Sequence, residues 1–138
     1  MCDILFRAKA INRDKGYHKT KYKNGDWVYG LVTRLYDERF ENLPAEMTNI
    51  NGVSGIEVDY KTIGQYTGLT DKNGVKIFEG DIIRYEDDIG YVIYNGDDAR
   101  FLVDSPNRYI SMDYSNEFEV IGNIHDNPKL LKEGEKVW

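Results

Sequence analysis

Residues 65–85 read QYTGLTDKNGVKIFEGDIIRY. Turn residues recur here so often that no long helix can form. Gly68, Gly74 and Gly80 stand six residues apart, each bordering an extended run. Asp71-Lys72-Asn73-Gly74 is a turn with a mechanism. Asp71 can accept a hydrogen bond from the backbone two residues on, and Asn73 and Gly74 tolerate left-handed conformations. Gly80-Asp81 makes a second reversal, with Gly80 expected at positive φ. A phosphate loop would need its glycines between a strand and a helix, so that helix amides point at the anion. No helix follows here, and there is no Gly-Lys-Ser/Thr step. Gly68, Asp71, Asn73, Gly74, Gly80 and Asp81 are therefore read as structural turn residues.

After Asp81 the spacing becomes regular. Strands are expected over 82–85, 90–94, 100–103, 109–114 and 118–124, with turns at 86–88, 95–98 and 105–107. Short strands at such even intervals predict a small barrel or sandwich, whose closure removes exposed edges. Upstream, alternation predicts strands near 6–10, 27–32 and 56–60. Residues 34–47 are the one candidate helix or irregular connection, interrupted by Pro44, and 49–55 form a loop. A short helical turn is expected over 129–131, followed by a charged tail. The fold class is thus mostly β, with short antiparallel strands. The C-terminal half is expected to be a small SH3-like barrel packed against an N-terminal β-rich part with at most one short helix. The implied organisation is an N-terminal part (1–64), a hairpin block (65–80), the barrel (81–126) and a turn and tail (127–138), together one compact unit.

Composition narrows the functional classes. The chain has 138 residues, 41% hydrophobic and 13% aromatic, enough for a packed core. Its net charge of −6 disfavours generic binding to nucleic acid or anionic membrane. No apolar run is long enough to span a bilayer, and the charged start does not read as a signal peptide. The single cysteine, Cys2, excludes an intrachain disulfide and a cysteine zinc cluster, and fits a reducing cytoplasm. The two histidines, His18 and His125, have no metal-ligand spacing, and no nucleophile has a base beside it in sequence. Asp81, Asp87, Asp88, Asp97, Asp98 and Asp126 could be weighed as carboxylate ligands, but most stand where turns favour Asp. No catalytic residue, cofactor or metal is assigned.

Charge is unevenly spread. Residues 1–25 carry seven Lys/Arg against Asp3 and Asp14, a net of +5, which leaves −11 for the rest. Within this basic stretch Lys15, Lys19, Lys21 and Lys23 interleave with Tyr22 and Trp27. Cations among stacking rings are the pattern of a single-strand nucleic-acid site. These six residues are the candidate nucleic-acid contacts, although the acidic remainder would repel a phosphate backbone.

The block QYTGLTDKNGVKIFEGDIIRY, the later FEVIGNIHDNPKLL and the N-terminal ILFRAKA together resemble the YopX family of phage and prophage proteins. The resemblance runs over nearly the whole chain, with residues 34–55 contributing nothing to it. The start Met1-Cys2-Asp3 departs from the charged lead usual in that family. The resemblance implies a mostly β protein with a barrel-like half, encoded by a phage or integrated prophage, and it implies no activity. The resulting expectation is a non-catalytic interaction or assembly module in the cytoplasm of a bacterial host. It would be a homo-oligomer with a host or phage protein as a possible further partner, no membrane association, and no nucleic acid. The alternatives are a nucleic-acid-associated protein using residues 9–27, or an acidic inhibitor of a host enzyme using residues 79–126.

Overall fold

The computed structural model describes residues 3–12, 22–35 and 45–131. The expected helix or connection at 34–47 lies partly outside these residues, and the charged tail at 132–137 lies wholly outside them. The chain is mostly β and divides into two compact units, Asp3–Gln65 and the part from Tyr66 onward.

In the first unit, β1 (Phe6–Lys9), β2 (Trp27–Arg34), β3 (Ala45–Asn49) and β4 (Ile56–Val58) form an antiparallel sheet in the order β4-β3-β2-β1. Strand β5 (Gly64–Thr70) begins beside β1, with Gly64 opposite Arg7 and Gln65 opposite Phe6. Period-two alternation gives the sheet its inner face: Ala8, Val28, Met47, Ile56 and Val58 are buried in one cluster, with Phe6, Val32 and Ile63 packed against it. Gly30 belongs to this inner row. A Cβ there would stand 1.9 Å from the Thr48 carbonyl oxygen, so no larger residue fits.

Two expectations are corrected in this unit. Residues 45–47, read as part of a helix or connection, are strand: Ala45, Met47 and Asn49 point inward in strict alternation. The helical reading failed because Pro44 and scattered charges masked a strand only five residues long. The strand expected over 56–60 stops at Val58, because the Asp59 side chain accepts from the Lys61 amide at 3.0 Å and caps a 3-10 turn, Tyr60–Thr62. Thr62 then ties this turn to β1, its hydroxyl accepting from the Lys9 amide at 2.8 Å and donating to the Asp59 carbonyl at 2.7 Å.

In the second unit, the end of β5 pairs with β6 (Lys76–Phe78). A five-stranded antiparallel sheet follows, built from β7 (Asp81–Tyr85), β8 (Asp88–Asn95), β9 (Arg100–Asp104), β10 (Tyr109–Ser111) and β11 (Glu119–Asn123). Its order is β10-β9-β8-β7-β11. The strand expected over 109–114 ends at Ser111, whose hydroxyl accepts from the Asp113 amide at 3.1 Å and starts the 3-10 helix Met112–Glu117. β10 and β11 are the two ends of the sheet, and no ladder among the described residues joins them, so strand pairing does not supply the expected barrel closure. Among the described residues, helix is limited to the two 3-10 segments and the expected turn at 129–131, and the N-terminal part holds one of these segments. Ile77, Ile83, Val92, Val103, Ile110 and Phe118 form the core, with the Tyr85 ring edge-on to Phe118 at 5.3 Å.

Candidate interaction face

The turn residues of the 65–85 block do more than reverse the chain. Gly68, Gly74 and Gly80 have φ of +87, +79 and +90. Asp71 is only 5% exposed. One oxygen of its carboxylate accepts from the amides of Asn73 at 2.8 Å and Val75 at 2.9 Å. The other accepts from the Val120 amide at 2.9 Å, and the Lys72 amide donates to the Phe118 carbonyl at 3.0 Å. One side chain thus closes its own turn and staples that turn to the outer edge of β11. Burial is the strongest single influence on the Asp71 carboxyl and raises its pKa. The three amide bonds and the Lys72 charge together outweigh it, so the group stands below its ordinary value.

The Gly80 turn is stitched in the same way. Its amide donates to the Val92 carbonyl and its carbonyl accepts from the Ile124 amide, each at 2.9 Å, while buried Asp81 accepts from the Phe78 amide at 2.7 Å. The later GNIHDN segment forms its own network. The Asn123 side chain accepts from the amides of His125 and Asp126, and the Asn127 side chain accepts from the Asn123 amide. The Asn127 side chain occupies the space where a Cβ on Gly122 would be, 2.6 Å away.

At one end of the second unit, Arg108 bridges Asp88 at 2.7 Å and Glu86 at 3.0 Å, and these hydrogen bonds raise its pKa. Tyr85 lies beneath, its phenol pKa raised first by burial and then by Glu86 and Glu117. Every member of this cluster is already engaged in holding two loops together. Among the described residues no three His, Cys, Asp or Glu are grouped to hold a metal ion.

Of the six candidate nucleic-acid contacts, the structure describes Tyr22, Lys23 and Trp27. Lys15, Lys19 and Lys21 lie outside the described residues. Tyr22 packs against the first unit's core, and its hydroxyl accepts from the Asn49 side chain at 3.1 Å. Lys23 sits in an exposed turn, its amide bonded to Asp26. Trp27 faces outward but is already covered by cations. The Arg7 guanidinium stands 4.6 Å from its ring centre and the Lys9 ammonium 5.4 Å. Neither described ring is presented as an open stacking platform.

What the first unit does present is an apolar outer face. In β2 the residues alternating with Val28, Gly30 and Val32 are Trp27, Tyr29, Leu31 and Thr33. Tyr29 is 37% exposed and Leu31 50%. Thr48 of β3 lies opposite Leu31. Ile50, 71% exposed, follows β3, with its amide donating to the Tyr29 carbonyl at 2.9 Å. Lys9 borders this patch on β1, and Glu46 and Glu57 border it on β3 and β4. The face was legible in the string WVYGLVTR, where both alternating rows are largely apolar. Tyr29 and Leu31 were passed over because a strand apolar on both sides reads as ordinary core.

The family model for YopX protein matches residues 5–132 of this chain. Among solved structures, the crystal structure of protein EF1440 from Enterococcus faecalis is similar, with a TM-score of 0.55 and 27% sequence identity. That match covers 95% of this chain and 99% of the other. No curated protein sequence matches. Among the described residues, no helix is long and apolar enough to cross a membrane.

Proposed function

From the premise that this chain belongs to the YopX protein family, we propose that it is a non-catalytic, phage- or prophage-encoded protein-interaction module of the bacterial cytoplasm. The observation that carries this reading is the outer face of β2 and β3. Three large apolar side chains, Tyr29, Leu31 and Ile50, stand side by side on a sheet whose opposite face is packed core. A clustered, rigid apolar patch with charged borders is what a protein partner recognises, and soluble domains seldom leave one without use. The engagement of Asp71, Asp81, Asp88 and Arg108 in loop contacts favours a structural role for these groups over a chemical one.

Affinity purification from cells carrying the parent phage or prophage tests the reading. The wild-type chain is compared with the double variant Leu31→Glu/Ile50→Glu. At least one stoichiometric protein, a second copy of the chain included, should accompany the wild type and be lost from the variant. Identical recovery with both, at equal melting temperature, overturns the reading.

A further inference from the structure

We propose that Asn95 is a self-modification site. In the folded protein the Gly96 amide nitrogen attacks the Asn95 side-chain carbonyl and converts the residue to aspartate or isoaspartate. The chain carries four Asn-Gly steps: Asn24-Gly25, Asn51-Gly52, Asn73-Gly74 and Asn95-Gly96. A glycine leaves the attacking nitrogen unshielded by any Cβ, so in sequence all four are equally suited. The fold separates them. The nitrogen attacks once it has lost its proton, so a hydrogen bond that holds the N–H to a carbonyl must first break. Gly25 donates to the Ala10 carbonyl at 2.8 Å, Gly52 to the Asn49 carbonyl at 2.9 Å and Gly74 to the Asp71 carbonyl at 3.0 Å. Gly96 is exposed, and among the described residues its amide donates no hydrogen bond. Giving up one such bond slows the attack about fivefold.

The carbonyl under attack is prepared as well. The Asp97 amide donates to Asn95 Oδ1 at 3.0 Å. That bond draws electrons from the carbonyl carbon and strengthens as the oxygen gains charge in the tetrahedral intermediate. Asn24 Oδ1 receives a like bond from the Asn12 amide at 3.2 Å, but there Gly25 is held. The departing nitrogen is loosely tied, since Asn95 Nδ2 reaches Asp98 only at 3.5 Å. In the reaction the Gly96 nitrogen bonds to Cγ, the Cγ–Nδ2 bond breaks, and ammonia leaves with the Gly96 amide hydrogen. Water then opens the cyclic imide. Opening at Cγ gives aspartate, and opening at the main-chain carbonyl gives isoaspartate, which lengthens the backbone by a methylene. Either product sets a third carboxylate beside Asp97 and Asp98. Isoaspartate also disturbs the last rung of the β8–β9 ladder, where Asn95 faces Arg100.

Timed incubation of the full chain in mildly alkaline buffer, followed by proteolysis and tandem mass spectrometry, tests the proposal. A parallel incubation in urea gives the intrinsic rate at each step. Divided by that rate, amide-to-acid conversion in the folded chain should be fastest at Asn95, by about fivefold over each other step. Gly96→Ala shields the nucleophile, and a Cβ there meets nothing within 4 Å, so the fold is kept. This variant should melt like the wild type and lose most conversion at Asn95, with the other three steps unchanged. A folded chain in which Asn95 is not the fastest of the four, or does not react while the urea-treated chain does, overturns the proposal. So does an unchanged rate at Asn95 in Gly96→Ala.

Discussion

The two units use the outer sides of their sheets in opposite ways. In the second unit the centre of the five-stranded sheet is buried on both faces, with exposed Tyr94 and Tyr109 only towards its margins. Ile83, Val92 and Val103 are buried on one side, and Ile82 and Leu102 on the other. In the first unit the inner row is buried, while Tyr29, Leu31 and Ile50 remain exposed on the other side. Both sheets are apolar on two sides in sequence, so apolarity alone does not decide what is core. The difference separates apolar residues that stabilise this fold from apolar residues available to another surface.

The sharpest break of that comparison is a matched pair of substitutions. Ile82→Glu and Leu31→Glu each place a carboxylate on the outer row of a sheet. At Ile82, which has no exposed surface, the charge has no water and no partner. The cost should be about 4 kcal/mol or more, enough to unfold the chain or leave it marginal. At Leu31 the carboxylate stays hydrated, and the change should lie within about 0.5 kcal/mol. Urea denaturation measures both. Comparable destabilisation at the two positions would abolish the distinction between covered and available faces.

The next effect concerns how the second unit is tied together. Asp71→Ala should cost about 2–4 kcal/mol, because three amides lose their acceptor at a site almost closed to water. Asp71→Asn separates shape from charge and carries a pH signature. The Asp71 pKa is lowered in the folded state, so its contribution is fully present above the ordinary carboxylate value of about 4. That contribution is lost as pH falls through the lower folded value. The stability gap between wild type and Asp71→Asn should therefore be constant near neutrality and narrow below about pH 4. A gap that persists unchanged into that acid range would mean that the Asp71 charge contributes nothing.

How much of this was legible in sequence differs by level. Turn chemistry was readable because it is local. Asn73-Gly74 and Gly80-Asp81 announce reversals through the conformations those residues tolerate. The same letters hide the longer reach of Asp71, whose bond to Val120 joins residues 49 positions apart and has no local signature. Strand β3 was missed because five residues flanked by charge and proline give alternation too little length to register. The ends of two expected strands were misplaced for a related reason. Asp59 and Ser111 cap 3-10 segments with side-chain oxygens, which interrupts the extended backbone while leaving the hydrophobic pattern intact. The interaction face was hidden by ambiguity: Tyr29 and Leu31 look like core until the sheet shows which side they take.

Glycine substitutions give a smaller effect and separate two reasons for a glycine. Gly80→Ala meets only ordinary contacts with Ile124, so its cost is the left-handed backbone, about 1 kcal/mol. Gly122→Ala forces the Asn127 side chain away and breaks its bond to the Asn123 amide, which should cost more, about 1–2 kcal/mol. Thermal melting ranks the two. Equal costs would remove the close packing of Asn127 as the reason for Gly122.

The smallest expected effect is on nucleic acid, and it decides what the first unit's outer side serves. A single-strand site built from residues 9–27 would neutralise phosphates, and each would contribute about −0.7 to the slope of log affinity against log salt. Four engaged cations would give a slope near −3 by the same rule. Two described rings are committed elsewhere: Tyr22 to the core and to Asn49, Trp27 to Arg7 and Lys9. Stacking, the sequence-tolerant part of such binding, therefore has little to offer from these positions. The −11 carried outside residues 1–25 opposes the remaining attraction, and screening over a few ångströms does not remove it. Fluorescence anisotropy with single-stranded oligonucleotides should show no binding at 0.15 M salt and at most a weak signal at low salt. That signal should vanish when Lys19, Lys21 and Lys23 become Glu. Submicromolar affinity at 0.15 M salt, reduced by Tyr22→Ala or Trp27→Ala and lost in the triple variant, would turn this side of the first unit from a protein surface into a nucleic-acid one.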